Sequence, residues 1–191
     1  MSIYNNHAMT LEKENQAEAE TRNQWLRELS EFIVEANLAT WAGDGKEVEP
    51  ETPDYKELEY ARGNWSLRDR YTGYFRAPGM TTVRYKGKPA WTMQYGGRGM
   101  TEGHEEKAKP TYEFLKKTLQ RVSPDLPFRG PKEYLEGNRR YAFQLLHGDI
   151  TDALWKEEIT ENGILTFTQT GLAGLVIHRD QDKKPLLPWK L

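Results

Sequence analysis

Apolar residues recur along the chain in two rhythms. Leu26, Leu29, Ile33 and Ala36 fall at helical spacing, with Trp25 and Phe32 widening the stripe, and this predicts a helix over about residues 22–38. Thr21 and Gln24 have the spacing of a capping box at its start. Tyr112, Leu115, Leu119 and Val122 make a second helical stripe, with Pro110 placed as its first residue and Pro124 closing it. Between and after these stripes the period falls to two. Over residues 64–72, Trp65, Leu67, Asp69 and Tyr71 share one face, and Ser66, Arg68, Arg70 and Thr72 the other. Residues 82–86 and 90–95 predict a hairpin around Lys86-Gly87-Lys88-Pro89, with Trp91, Met93 and Tyr95 aligned, and Gly96-Gly97-Arg98-Gly99 ends that strand. Residues 141–147, 154–159 and 164–170 read as strands, the last two joined at Asn162-Gly163, a strong hairpin signal, and residues 172–178 as a fourth.

The order helix, three strands, helix, three or four strands argues an α+β fold with an antiparallel sheet and two main helices, and hints at a duplicated α-β-β-β arrangement. A length of 191 residues suits one domain. The expected organisation is a flexible lead-in over residues 1–20, a single α+β domain over 21–180, and a tail over 181–191 whose Leu186, Leu187 and Trp189 dock on this domain or on a second copy. Residues 44–57, acidic and carrying Pro50 and Pro53, are expected as an exposed, disordered loop.

Composition changes this picture in three ways. Aromatic residues make up 12% of a chain that is only 37% hydrophobic, so the core is built on rings. There is no cysteine, which excludes disulfides, thiolate catalysis and Cys-based metal sites and fits a reducing compartment. The absence of a long apolar run or an apolar leader segment gives an expectation of no membrane insertion and a cytoplasmic location. The net charge of −2 hides an asymmetry: residues 1–60 carry 14 acids and 5 bases, and residues 61–148 carry 8 acids and 17 bases. The acidic part is expected to lie against the basic part within the domain.

Candidate chemistry centres on the aromatic face. Asp69 falls on it, and a carboxylate there needs a partner or a job; an Arg of a neighbouring strand is the expected partner. A pocket walled by Trp41, Trp65, Tyr71, Trp91 and Tyr95, with Asp69 and Arg129 as its polar groups, is the site expected to take a small molecule or a protein partner. Two other readings compete with it. Tyr, Trp and Arg interleaved on a sheet resemble a stacking platform for single-stranded nucleic acid, with exposed rings as the requirement. The pairs His147/Asp149 and His178/Asp180 could each offer a metal two ligands on one strand face, giving a metal-dependent enzyme if the pairs meet. No nucleophilic triad is singled out. His104-Glu105-Glu106 lacks the second His of a zinc-protease motif, because position 108 is Ala. Glu157 and Glu158 are neighbours on a strand and face opposite ways. Neither a cofactor nor an oligomeric state is indicated.

The segments FIVEANLATWAGDG, LEYARGNWSLRDRYTGYF, VRYKGKPAWTMQYGG and PFRGPKEYLEG with the later GDI resemble a bacterial family, the domain-of-unknown-function family 5680, over about residues 32–176. Its members occur alone or behind a helix-turn-helix domain; the first 20 residues here are too short and polar to form one. The resemblance implies a shared fold and carries no activity and no catalytic residues.

Overall fold

The computed structural model describes the backbone of residues 2–43 and 45–191 and the side chains of residues 13–43 and 45–191. Helix α1 spans Ser2–Ala39. It is followed by β1 (Lys56–Arg62), β2 (Trp65–Tyr71), β3 (Gly79–Tyr85) and β4 (Lys88–Met100). Helix α2 (Ala108–Leu119) leads into β5 (Glu133–Glu136), β6 (Arg139–Asp149), β7 (Asp152–Glu161) and β8 (Ile164–Leu175). Two short strands, β9 (His178–Arg179) and β10 (Pro185–Leu186), pair with each other near the C-terminus.

The eight long strands form one antiparallel sheet in the order β1-β2-β3-β4-β8-β7-β6-β5. Each half is a helix followed by a four-strand meander, and the two meanders meet where β4 pairs β8. The repeated unit is therefore α-β-β-β-β, one strand longer than the alternation suggests. The strands that escape the pattern are β1 and β5, the two sheet edges: each carries only short apolar stretches (KELEYAR and EYLE), because an edge strand has one neighbour and a largely solvated face. The segment 172–178 is not a separate strand; its first part continues β8. The hairpins expected at Lys86-Gly87 and Asn162-Gly163 both form, with positive φ at all four residues.

One side of the sheet is covered by the helices. From α1, Phe32 stacks on Trp65 and Trp25 packs against Trp65 and Trp189. From α2, Phe114 stacks on Tyr134 of β5, and Tyr112 meets Phe167 of β8 edge-on. Trp91, Trp155 and Tyr141 are completely buried between these layers. Helix α1 starts at Ser2, well ahead of the stripe that begins at Trp25. Thr21 is consequently inside it, where its hydroxyl bonds back to the Ala17 carbonyl at 2.9 Å and forms no capping box. The tail docks on its own domain: Trp189 lies against Trp25, Lys190 pairs with Glu18 at 2.6 Å, and the Lys86 ammonium reaches the Leu191 carbonyl at 2.8 Å.

The acidic loop is ordered rather than loose over residues 45–55; Asp44 lies outside the described residues. It folds over the outer side of β1 and β2, where Val48 bridges to Glu57. Arg68 holds it there, pairing with Glu57, with Glu51 at 2.6 Å and with Glu59 at 2.7 Å, and donating to the Glu49 carbonyl at 3.1 Å. This is the acidic segment lying on the basic one. Burial would raise the Glu57 carboxyl, but Arg68 and the Thr52 and Glu51 amides outweigh it and hold it below the ordinary range. A lowered carboxyl stabilises the fold above its ordinary value, and that stability is lost as the pH falls through it. Replacing Arg68 with Ala is expected to cost about 2–3 kcal/mol in urea unfolding, and to speed proteolytic cleavage within residues 45–55. Unchanged cleavage would show that the loop is held by other contacts.

Candidate functional site

A cavity of about 230 Å³ lies between the helix-covered face of the sheet and the loop between β2 and β3, with α2 closing one side. Its walls are rings, Trp41, Tyr71, Tyr74, Tyr95, Tyr112 and Phe167, and its polar groups are Asp69, Arg129 and Gln169, with Lys56 at the edge. Trp41, Tyr71, Tyr74 and Tyr112 also line a second cavity of about 330 Å³, so one layer of rings separates the two spaces.

Strand parity places most of this lining. Asp69 is directly opposite Thr81 of β3, which is opposite Met93 of β4. Tyr95 is opposite Gly79. A Cβ at Gly79 would stand 2.4 Å from the Tyr95 hydroxyl, so the missing side chain lets the ring lie across β3 and reach β2. There the Tyr95 hydroxyl donates to Asp69 Oδ2 at 3.0 Å, and the Thr81 hydroxyl to Oδ1 at 2.6 Å. The partners of Asp69 are thus hydroxyls and not an Arg of a neighbouring strand: Arg84 of β3 is opposite Ser66 on the other face, and Arg62 of β1 pairs with Glu35. The glycine run does not end β4. It forms a bulge between Gly96 and Gly99 while pairing with β8 continues to Met100. Gly99, at φ +62°, admits the loop between β2 and β3: a Cβ there would sit 2.2 Å from the Phe75 carbonyl, which accepts the Met100 amide at 2.8 Å.

Arg129 comes from the rigid loop between α2 and β5, pinned by Phe128, which is buried and stacks on Phe143. Its guanidinium binds Glu157 Oε1 through Nε at 3.1 Å and Nη2 at 3.0 Å. Glu157 is fully buried. It also accepts the Tyr141 hydroxyl at 2.7 Å and the Gln169 amide. The guanidinium sits 5.5 Å from the Tyr95 ring centroid and 6.0 Å from that of Trp41, within cation–π range. Burial works against the Arg129 charge, but Glu157 more than restores it. Burial, with the nearby carboxylates, keeps the Tyr95 and Tyr141 phenols well above their ordinary value, so both remain donors. Burial, with Tyr74 nearby, pushes Tyr112 up to about 12, and its hydroxyl donates to the Tyr74 carbonyl.

Burial also raises the Asp69 carboxyl above its ordinary 3.8; the bonds from Thr81 and Tyr95 and the charge of Arg129 recover only part of the shift. The sign follows. The folded protein holds this proton more tightly than the unfolded chain, so stability falls as the pH rises from the ordinary value through the folded one. Asp69→Asn is expected to be more stable than the parent at pH 7, with the advantage disappearing below about pH 4. Paired thermal melts across that range check it; a variant less stable at pH 7 would mean that the hydroxyl bonds to the ionised form dominate.

Of the seven residues expected at the site, Trp41, Asp69, Tyr71, Tyr95 and Arg129 line this cavity. Trp65 and Trp91 do not. Trp65 belongs to the ring cluster under α1, and Trp91 is buried with its Nε1 donating to the Ile150 carbonyl at 2.9 Å. Both rings are covered and neither is available for base stacking. Glu157 and Gln169 were not anticipated, although parity could have found them: each shares the inward face of its strand with Trp155 and Ile159, or with Phe167. The His-x-Asp pairs do not assemble, since no three His, Asp or Glu side chains are grouped to hold a metal among the described residues. His178 Nε2 is 2.6 Å from the Pro89 carbonyl. Asp149 closes a turn onto Thr151, and Asp180 one onto the Lys184 amide. His147 is exposed opposite Leu154. No helix among the described residues is long and apolar enough to cross a membrane.

The model of the family described as a domain of unknown function (DUF5680) matches residues 69–176. Searches of curated proteins and of solved structures returned no match. The matched span contains Asp69, Thr81, Tyr95, Arg129, Tyr141, Glu157 and Gln169, the polar groups bonded around Asp69 and Glu157. It begins after β1 and so leaves out residues 32–68 of the expected resemblance. With more than half of its length inside the match, this chain belongs to the DUF5680 family.

Proposed function

We propose that this protein is a cytoplasmic binding module that takes a small organic molecule into the ring-lined cavity. The observation that carries the reading is the convergence of Asp69, Arg129 and Gln169 on a cavity otherwise walled by rings. Apolar walls with a few placed polar groups are what a small-molecule site needs. The polar groups are held in advance: Arg129 by two bonds to Glu157, and Asp69 by Thr81 and Tyr95. Preorganisation of this kind lowers the ordering cost of binding. A volume of about 230 Å³ limits the occupant to a compact body, such as a single substituted ring. The lack of cysteine supports a reducing cytoplasm as its location.

The test is a fragment screen by differential scanning fluorimetry. A ligand of the native state stabilises it by about 2.7 kcal/mol at one hundred times its dissociation constant, and the melting temperature must rise with concentration. Ala77 lines the cavity, and Ala77→Phe is expected to abolish the shift by filling it. Hits that persist unchanged in that variant would place binding elsewhere, and the absence of any concentration-dependent hit would overturn the reading.

A further inference from the structure

We infer that the occupant of this cavity is an organic cation, a protonated or quaternary amine on a compact apolar body, with Asp69 as its counter-ion. The inference rests on the small-molecule reading above and specifies its ligand class. It comes from a ledger of the charges around the cavity. Arg129 is already neutralised, because Glu157 takes two of its N–H groups. Glu157 is in turn saturated, with Tyr141 and Gln169 as further donors. Lys56, at the edge of the cavity, is paired with Glu47 at 3.1 Å. Asp69 is left over. It is only 8% exposed, it has no ion pair among the described residues, and its partners are the two hydroxyls of Thr81 and Tyr95.

Taken together, the buried groups Asp69, Arg129 and Glu157 sum to one uncompensated negative charge. A buried carboxylate without a counter-charge is costly. A cation placed beside Asp69 makes the set electrically neutral, with signs alternating from ligand to Asp69 to Arg129 to Glu157. An anion would add a third negative charge around a single guanidinium that is already paired. A neutral molecule would leave the carboxylate desolvated, or force a proton onto it. The walls agree with the charge. Trp41 and Tyr95 already face the Arg129 guanidinium, and Tyr71 and Tyr112 add further phenol faces to the lining; such faces attract ammonium groups most strongly when water is excluded.

The test is isothermal titration calorimetry of the intact protein with four probes of similar size at one pH: benzylammonium, phenyltrimethylammonium, benzyl alcohol and benzoate. Both cations are expected to bind at least about tenfold more tightly than benzyl alcohol, with benzoate weakest. In Asp69→Asn the preference for cations is expected to vanish while benzyl alcohol binding is retained. Benzyl alcohol or benzoate binding as tightly as the cations, and lost in Ala77→Phe, would overturn the charge assignment while leaving the cavity reading in place. Failure of all four probes to bind would overturn both. If Asp69→Asn does not fold, the ranking of the four probes on the parent protein decides alone.

Discussion

Replacing Glu157 with Ala is expected to cost the fold about 3–5 kcal/mol, one of the two largest single-residue effects in this protein. The residue is completely buried, and three donors depend on it: the Arg129 guanidinium, the Tyr141 hydroxyl and the Gln169 amide. Removing the carboxylate leaves a largely buried guanidinium with no anion bonded to it, and two further polar groups unsatisfied. Most of the loss is this penalty rather than the net worth of the pair, and a second substitution can expose the difference. In an Arg129→Met background the orphaned charge is gone, so Glu157→Ala is expected to cost far less than it does in the parent. Urea unfolding of the four proteins gives the coupling. Additive losses would show that Arg129 and Glu157 stabilise the fold independently.

The second large effect is at Trp155, where substitution by Ala is expected to cost about 3–5 kcal/mol. Its ring lies over Gly171, the residue opposite it in the β7–β8 pair. A Cβ at Gly171 would come within 2.2 Å of the ring, and within 2.7 Å of the Gln94 carbonyl. The glycine is thus the floor on which the indole rests, and Phe143 packs against the ring at 5.8 Å between centroids. Gly171→Ala by itself is expected to cost about 1–3 kcal/mol through overpacking. Combined with Trp155→Ala it should add less than that, since the ring it strikes has gone. The contact to the Gln94 carbonyl remains and keeps the added cost above zero. Equal costs in both backgrounds, read from denaturant midpoints, would mean that the backbone contact alone penalises the Cβ.

The same device appears in the other half of the molecule, where Tyr95 lies over Gly79. In each four-strand meander an aromatic ring crosses a glycine on the neighbouring strand. In one half the ring completes the hydrophobic core. In the other it delivers a hydroxyl to Asp69 and borders the cavity. The fold is thus used twice, once for packing and once for placing a polar group, and the cavity belongs to the second use. With burial raising its carboxyl, Asp69 is expected to lower stability at neutral pH.

Much of this architecture was legible in the chain. The stripe Trp25, Leu29, Phe32, Ile33 and Ala36 is the buried face of α1, and parity put Asp69 inward with Trp65 and Leu67. These assignments hold because helix and strand periods fix side-chain direction locally, whatever the rest of the protein does. The acidic loop was misjudged because it is polar and its order depends on a long-range partner, Arg68, which periodicity cannot register. The edge strands β1 and β5 escaped because their few inward residues make no run.

What the sequence by itself determined was direction: which residues face the core, where the two hairpins turn, and that the fold is α+β with an antiparallel sheet. What only the tertiary structure decided was company. Trp65, Trp91 and Tyr95 all point inward, yet the first two fall under α1 and in the central core, while Tyr95 borders the cavity. Arg129 could have paired with either inward carboxylate, and it is Glu157 that holds it. The choice follows from the pairing of β4 with β8, which joins segments 67 to 84 residues apart and brings Asp69 of one half to Arg129 and Gln169 of the other. Local alternation carries no information about which strands will be neighbours, and that adjacency is what makes the cavity.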